Sequence, residues 1–231
     1  GAKFDLKVEF AGVQPRGNLK VTINGQDHAA VLGRAADYVE REDGQDASTL
    51  MLRDAALAAP GRYTVVATDG TNTRTVTWEV FGTPEPRKAK NVILFIGDGL
   101  SVGHITAARI LSQQISQGKY RGRLAMDGAP HMALIGTSGA DSVITDSANS
   151  AHAYTTGHKS SVNALGVYAS RAKDNLDHPK VETIAALVKR NLGLAVGIVT
   201  NTEIQDATPA SMVAHTRRRS DYDIITRQLF E

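Results

Sequence analysis

Residues 91–96, Asn91-Val92-Ile93-Leu94-Phe95-Ile96, form an apolar run that stops at Gly97-Asp98-Gly99. A strand exposed on one face alternates apolar and polar residues; one covered on both faces does not. The run therefore predicts a buried strand, and the glycines after it let the backbone turn tightly at its carboxyl end. Helical spacing follows over residues 102–117. Residues 132–136 and 194–200 repeat the strand pattern, and residues 147–156, 181–191 and 209–218 the helical one. Strands alternating with helices predict an α/β sheet flanked by helices.

N-terminal to this run the character changes. Residues 3–10 place Phe4, Leu6, Val8 and Phe10 on one face and Lys3, Asp5, Lys7 and Glu9 on the other, the pattern of a half-buried strand. Residues 19–23 alternate too and end at Asn24-Gly25, a strong turn signal. Residues 63–68 and 73–80 flank Asp69-Gly70-Thr71-Asn72 and predict a hairpin, with Ala59-Pro60-Gly61 as the turn before it. Residues 35–41 fit either a short helix or a loop. Frequent turns between short strands point to a small, immunoglobulin-like β-sandwich. Two prolines in Gly82-Thr83-Pro84-Glu85-Pro86-Arg87 prevent a helix and stiffen a linker. The expected division is a β-sandwich accessory domain over 1–84 and an α/β part over 85–231.

Composition narrows the function. The 231 residues include no cysteine, which excludes disulfides, thiolate metal sites and cysteine nucleophiles. At 42% hydrophobic and 22% charged, the chain has globular composition. No apolar run is long enough to span a membrane. A net charge of +2 argues against a dedicated nucleic-acid surface. That charge divides into −2 for residues 1–82 and +4 for the rest.

Ligands bind at the carboxyl ends of such strands. Asp98 stands there, and its carboxylate suits a hard divalent cation. For an isolated Gly-Asp-Gly, a turn or helix cap is the plainer reading. Thr145-Asp146-Ser147-Ala148-Asn149-Ser150-Ala151 puts a serine at a helix N-terminus, where free N–H groups favour phosphate. Capping by Asp146 or Ser147 explains it equally well. In Glu203-Ile204-Gln205-Asp206-Ala207-Thr208-Pro209, Asp206 and Thr208 could face one Mg²⁺, or either could cap a helix beginning near Pro209. Arg217-Arg218-Arg219 is either a solvated basic surface or holds a guanidinium that clamps phosphate oxygens.

In series these segments resemble the alkaline phosphatase family, bacterial type. NVILFIGDG, TDSANSAHAYTTG with KSSVNALGV, and EIQDATPASMVAHTRRR carry the resemblance over about residues 88–231. It implies a partial alkaline-phosphatase-like sheet and hydrolysis of phosphate monoesters through a phosphoserine, with release of inorganic phosphate. On that resemblance Ser147 is the nucleophile and contacts metal. Asp98 bridges the magnesium site and one zinc, and Asp206 and Thr208 are magnesium ligands. Arg219 binds substrate phosphate and Asp146 positions it. The implied cofactors are two zinc ions and one magnesium.

The family's remaining zinc ligands lie in a C-terminal half. The expectation is therefore an N-terminal portion that works with the C-terminal portion as a second chain, such as the other product of a nick near residue 231. Asp174-Asn175-Leu176-Asp177-His178 has zinc-like spacing, but its position predicts a loop leading into a helix. His104 and His152 match no family ligand and are expected to be surface or supporting groups. The resemblance also implies a periplasmic or extracellular location and is compatible with a homodimer. Two other readings stay open: a phosphodiesterase or sulfatase of the same superfamily, and an inactive fragment acting as a binding module.

Overall fold

The computed structural model describes residues 1–83, 86 and 88–231. Pro84, Glu85 and Arg87 of the expected linker lie outside the described residues.

The N-terminal region is all-β. Strands β1 (Lys3–Ala11), β2 (Lys20–Ile23) and β3 (Gln26–Asp27) are followed by helix α1 (His28–Leu32). Then come β4 (Asp37–Val39), β5 (Ala47–Ala56), β6 (Gly61–Thr68) and β7 (Thr73–Val80). They form two sheets, ordered β1-β5-β4 and β3-β2-β6-β7, antiparallel at every pairing. Leu6, Phe10, Leu50 and Leu52 from the first sheet meet Val21, Ile23 and Val65 from the second in one core. Residues 37–39 are thus a strand, neither helix nor loop. Strand β5, the longest, escapes the alternation test because it is the centre of its sheet: Ala47, Ser48, Thr49 and Leu50 are all buried. Asp54, in the left-handed region at φ 54°, bulges β5 opposite β1.

The charged face of β1 is not solvated, which corrects the half-buried expectation. Its free edge pairs with residues 180–182 through an antiparallel bridge from Phe4 to Val181. The Asp5 N–H donates to the Lys180 carbonyl at 2.8 Å, and the Glu182 N–H to the Lys3 carbonyl at 2.9 Å. The buried Asp5 carboxylate accepts from Arg53 at 2.8 Å and from the backbone N–H groups of Asp54 and Lys180 at 2.9 and 3.0 Å. Lys7 bonds Ser170, and Glu9 accepts the Arg171 N–H. Asp5→Ala strands three donors at once. It is expected to lower stability by about 2 kcal/mol in chemical denaturation.

Beyond residue 88, helix α2 (Val102–Gln113) precedes the short hairpin β8 (Ile115–Ser116) and β9 (Lys119–Tyr120). Helices α3 (Ser147–Thr156), α4 (Ile184–Leu192), α5 (Ala207–Ala210) and α6 (Tyr222–Phe230) follow. The helical pattern over 102–117 stops at Gln113, and residues 115–120 turn back as the hairpin. The helix expected over 209–218 is only the short α5. Thr216 is instead drawn into a two-way backbone bridge with Leu165, both N–H···O distances 2.9 Å.

The three apolar runs at 91–96, 132–136 and 194–200 form no strand among the described residues. Val92 is 85% exposed and Phe95 89%. A strand exists only as one of a pair, because its N–H and C=O groups need neighbours. The described residues provide none for these runs.

Candidate active site

Ser147 is the first residue of α3, and Asp146 is its N-cap. One Asp146 oxygen accepts the Asn149 N–H at 3.1 Å, and the Asn149 side-chain oxygen accepts the Asp146 N–H at 3.2 Å. This reciprocal box fixes the start of the helix. The fit around it is tight: a Cβ at Gly139 would stand 2.3 Å from Asn149 Nδ2.

Asp206 is the N-cap of α5 without a reciprocal box, accepting the Ala207 N–H at 2.7 Å. Ala148 of α3 and Ala207 and Ala210 of α5 are fully buried with Ala214, Leu165 and Ile225. Methyl side chains let the two helices approach closely. Their N-termini then open toward one point.

Arg219 occupies that point. Its Nη1 donates to Ser147 Oγ at 2.7 Å and to Asp146 Oδ2 at 3.3 Å, while Nη2 donates to Asp206 Oδ1 at 2.7 Å. Burial works to lower the Arg219 pKa, but the hydrogen bonds it donates to the Asp206 and Asp146 carboxylates outweigh it and hold the pKa above the ordinary value. The third arginine of the basic cluster is therefore a half-buried anchor, while Arg218 is exposed and Arg217 bonds the Val162 carbonyl. Thr208 Oγ1 donates to Asp98 Oδ2 at 2.7 Å, joining residues 110 apart in the chain.

All six residues singled out from the sequence fall into two adjoining groups linked by the Asp206-Ala207-Thr208 segment. One is Asp146, Ser147, Asp206 and Arg219; the other is Asp98 and Thr208. The donors facing outward are carboxylate and hydroxyl oxygens, the set that suits Mg²⁺. Among the described residues no group of three or more His, Cys, Asp or Glu could hold a metal ion of either kind, magnesium or zinc.

The zinc-like spacing at 174–178 is a loop. His178 is buried and its Nδ1 accepts the Ser170 N–H at 3.0 Å. His104 is exposed and closes the capping box of α2. His152 is not a surface group, being fully buried in α3. Two supporting residues lack any chemical signature in the sequence. Asn149 was visible only as the third residue after Asp146, the spacing of a capping box. Gly139 gave no signal.

The alkaline phosphatase family model matches residues 89–228. The chain is 39% identical over 137 residues to the tissue-nonspecific alkaline phosphatase of Gallus gallus, covering 58% of this chain and 26% of that protein. It is 35% identical over 161 residues to the alkaline phosphatase of Gadus morhua, covering 62% and 34%. Among solved structures, a cold-active alkaline phosphatase from a psychrophilic Shewanella aligns with TM-score 0.50 and 25% identity, covering 58% of this chain and 32% of that one. The chain thus spans about a quarter to a third of the length of these relatives. Because the match takes in well over half of its residues, the chain belongs to the alkaline phosphatase family.

Proposed function

We propose that this chain supplies the nucleophile, the phosphate-binding arginine and the magnesium ligands of a phosphomonoesterase, acting with a C-terminal portion that brings the zinc ligands. The observation that carries this reading is the convergence of Ser147, Asp146 and Asp206 on the Arg219 guanidinium. Residues 1–84 are then an accessory β-sandwich and 85–231 the N-terminal part of the catalytic domain.

Ser147 Oγ attacks the phosphorus of a monoester; the Oγ–P bond forms as the bond to the leaving oxygen breaks, and the proton lost by the serine hydroxyl is balanced by the one the departing alcohol takes up through water. Water then releases inorganic phosphate and restores the serine. The N–H groups that open α3 and the planar Arg219 fork face the non-bridging oxygens and offset their charge. Asp146 keeps the fork in register with Ser147. Asp98, Asp206 and Thr208 would hold magnesium, which supplies charge stabilisation when bound. Two zinc ions belong to this reading, and the C-terminal portion would supply the ligands that complete their sites. An enzyme of this kind works outside the cytoplasm, in the periplasm or the medium. No helix among the described residues is long and apolar enough to cross a membrane.

The reading makes the 231 residues alone inactive, and turnover of an aryl phosphate by the isolated chain would overturn the division of the site. Joined to its C-terminal portion, the enzyme is expected to favour a monoester over the matching diester by about a hundredfold or more. Faster turnover of the diester or of a sulfate ester would assign the chain to a different branch of the superfamily.

A further inference from the structure

Asn163 has no place in the chemistry above, yet it touches both sides of it. Its N–H donates to Asp146 Oδ1 at 3.3 Å, and its carbonyl accepts the Arg219 N–H at 2.9 Å. One residue's backbone therefore joins the cap of the nucleophile helix to the main chain of the phosphate-binding arginine. The Leu165–Thr216 bridge just beyond it locks the two segments in register, and both of those residues are fully buried. Arg217 adds a bond from its guanidinium to the Val162 carbonyl at 2.8 Å.

The geometry needs an unusual backbone. Asn163 lies in the left-handed region, at φ 69°. In that conformation its N–H and C=O point to Asp146 and Arg219 together. Asparagine tolerates this region, glycine enters it freely, and alanine resists it because its Cβ crowds the carbonyl. Among the described residues the Asn163 side chain makes no hydrogen bond, so the contribution is conformational.

We propose that Asn163 is a positioning residue for phosphate capture: its left-handed backbone sets the Arg219 guanidinium against Asp146 and Ser147. This rests on the reading of Arg219 as the phosphate-binding group. A rotation of the Arg219 main chain is carried along the side chain to the guanidinium, whose bonds to Ser147 and Asp206 are both 2.7 Å.

The test is a double-mutant cycle in the enzyme completed by its C-terminal portion, read as the inhibition constant of inorganic phosphate. Asn163→Ala is expected to raise that constant about tenfold, and Asn163→Gly to leave it within about twofold of wild type. In an Arg219→Ala background, Asn163→Ala should add nothing, because its effect passes through the missing guanidinium. An unchanged constant in Asn163→Ala, a failure of glycine to restore it, or a further tenfold loss on top of Arg219→Ala overturns the proposal. If the alanine protein does not fold, Asn163→Ser takes its place and must weaken phosphate in the same direction. Should Arg219→Ala itself leave phosphate inhibition intact, the underlying functional reading fails instead, so the two failures are distinguishable.

Discussion

In the enzyme completed by its C-terminal portion, Ser147→Ala is expected to eliminate the acid-stable phosphoenzyme and to slow monoester hydrolysis by roughly a thousandfold or more. The size of the effect follows from position. Ser147 is the only hydroxyl bonded to Arg219 among the described residues, and it stands where α3 presents its free N–H groups. Removing Oγ deletes the atom that, in the proposed function, forms the new bond to phosphorus, while Asp146 and Asn149 still cap the helix through their own side chains. The fold should therefore survive, with a melting temperature close to wild type. Labelling with radioactive phosphate, quenching in acid and mapping the modified peptide measures the outcome directly. Label retained in the alanine protein would sink the assignment. An inactive module that merely binds a partner should show no label in either form.

The second large effect concerns acid stability. His152 is fully buried on α3, edge-on to Tyr168 with ring centroids 6.2 Å apart. Neither ring nitrogen has a hydrogen-bond partner among the described residues. Burial, followed by the neighbouring His158 and His215, pushes its pKa down from 6.5 to about 4. Because the folded pKa is depressed, the native state refuses a proton that the unfolded chain accepts. Stability is thus highest above pH 6.5 and falls as pH drops toward 4, by about 3 kcal/mol over that window. His152→Phe keeps a ring against Tyr168 and removes the titration. Denaturant unfolding at a series of pH values should show a flatter acid limb for the phenylalanine protein. Parallel limbs for the two proteins would place the acid sensitivity elsewhere.

The helix over 147–156 was legible to the residue, because Asp146, the small residues after it and Gly157 are local signals that need nothing from afar. The six candidate residues were legible too, but only as a series. Each alone is explained by capping, and Asp146 and Asp206 are indeed caps; the same carboxylates also bind Arg219. Capping a helix and holding Arg219 are not alternatives here. What escaped the sequence depended on distant partners. Strand β5 lost its alternation because it is covered on both faces. The expected helix beyond Pro209 gave way to the pairing of Thr216 with Leu165. The apolar runs at 91–96, 132–136 and 194–200 have strand composition without strand neighbours among the described residues.

The bond from the Lys180 N–H to Asp5 spans 175 positions of chain. A ribosome adds residues N-terminus first, at roughly 5–20 per second, so β1 waits about ten seconds or more for its outer neighbour to be made. The sheets of the first eighty residues have all their strands long before then and can form on their own schedule. Their edge is a finished surface onto which the later segment docks. From Val181 the pairing passes to Gly166, and from Leu165 to Thr216, three residues before Arg219. The order of synthesis thus becomes the order of assembly, with the earlier-made β-sheets serving as template for the segments that settle the arginine.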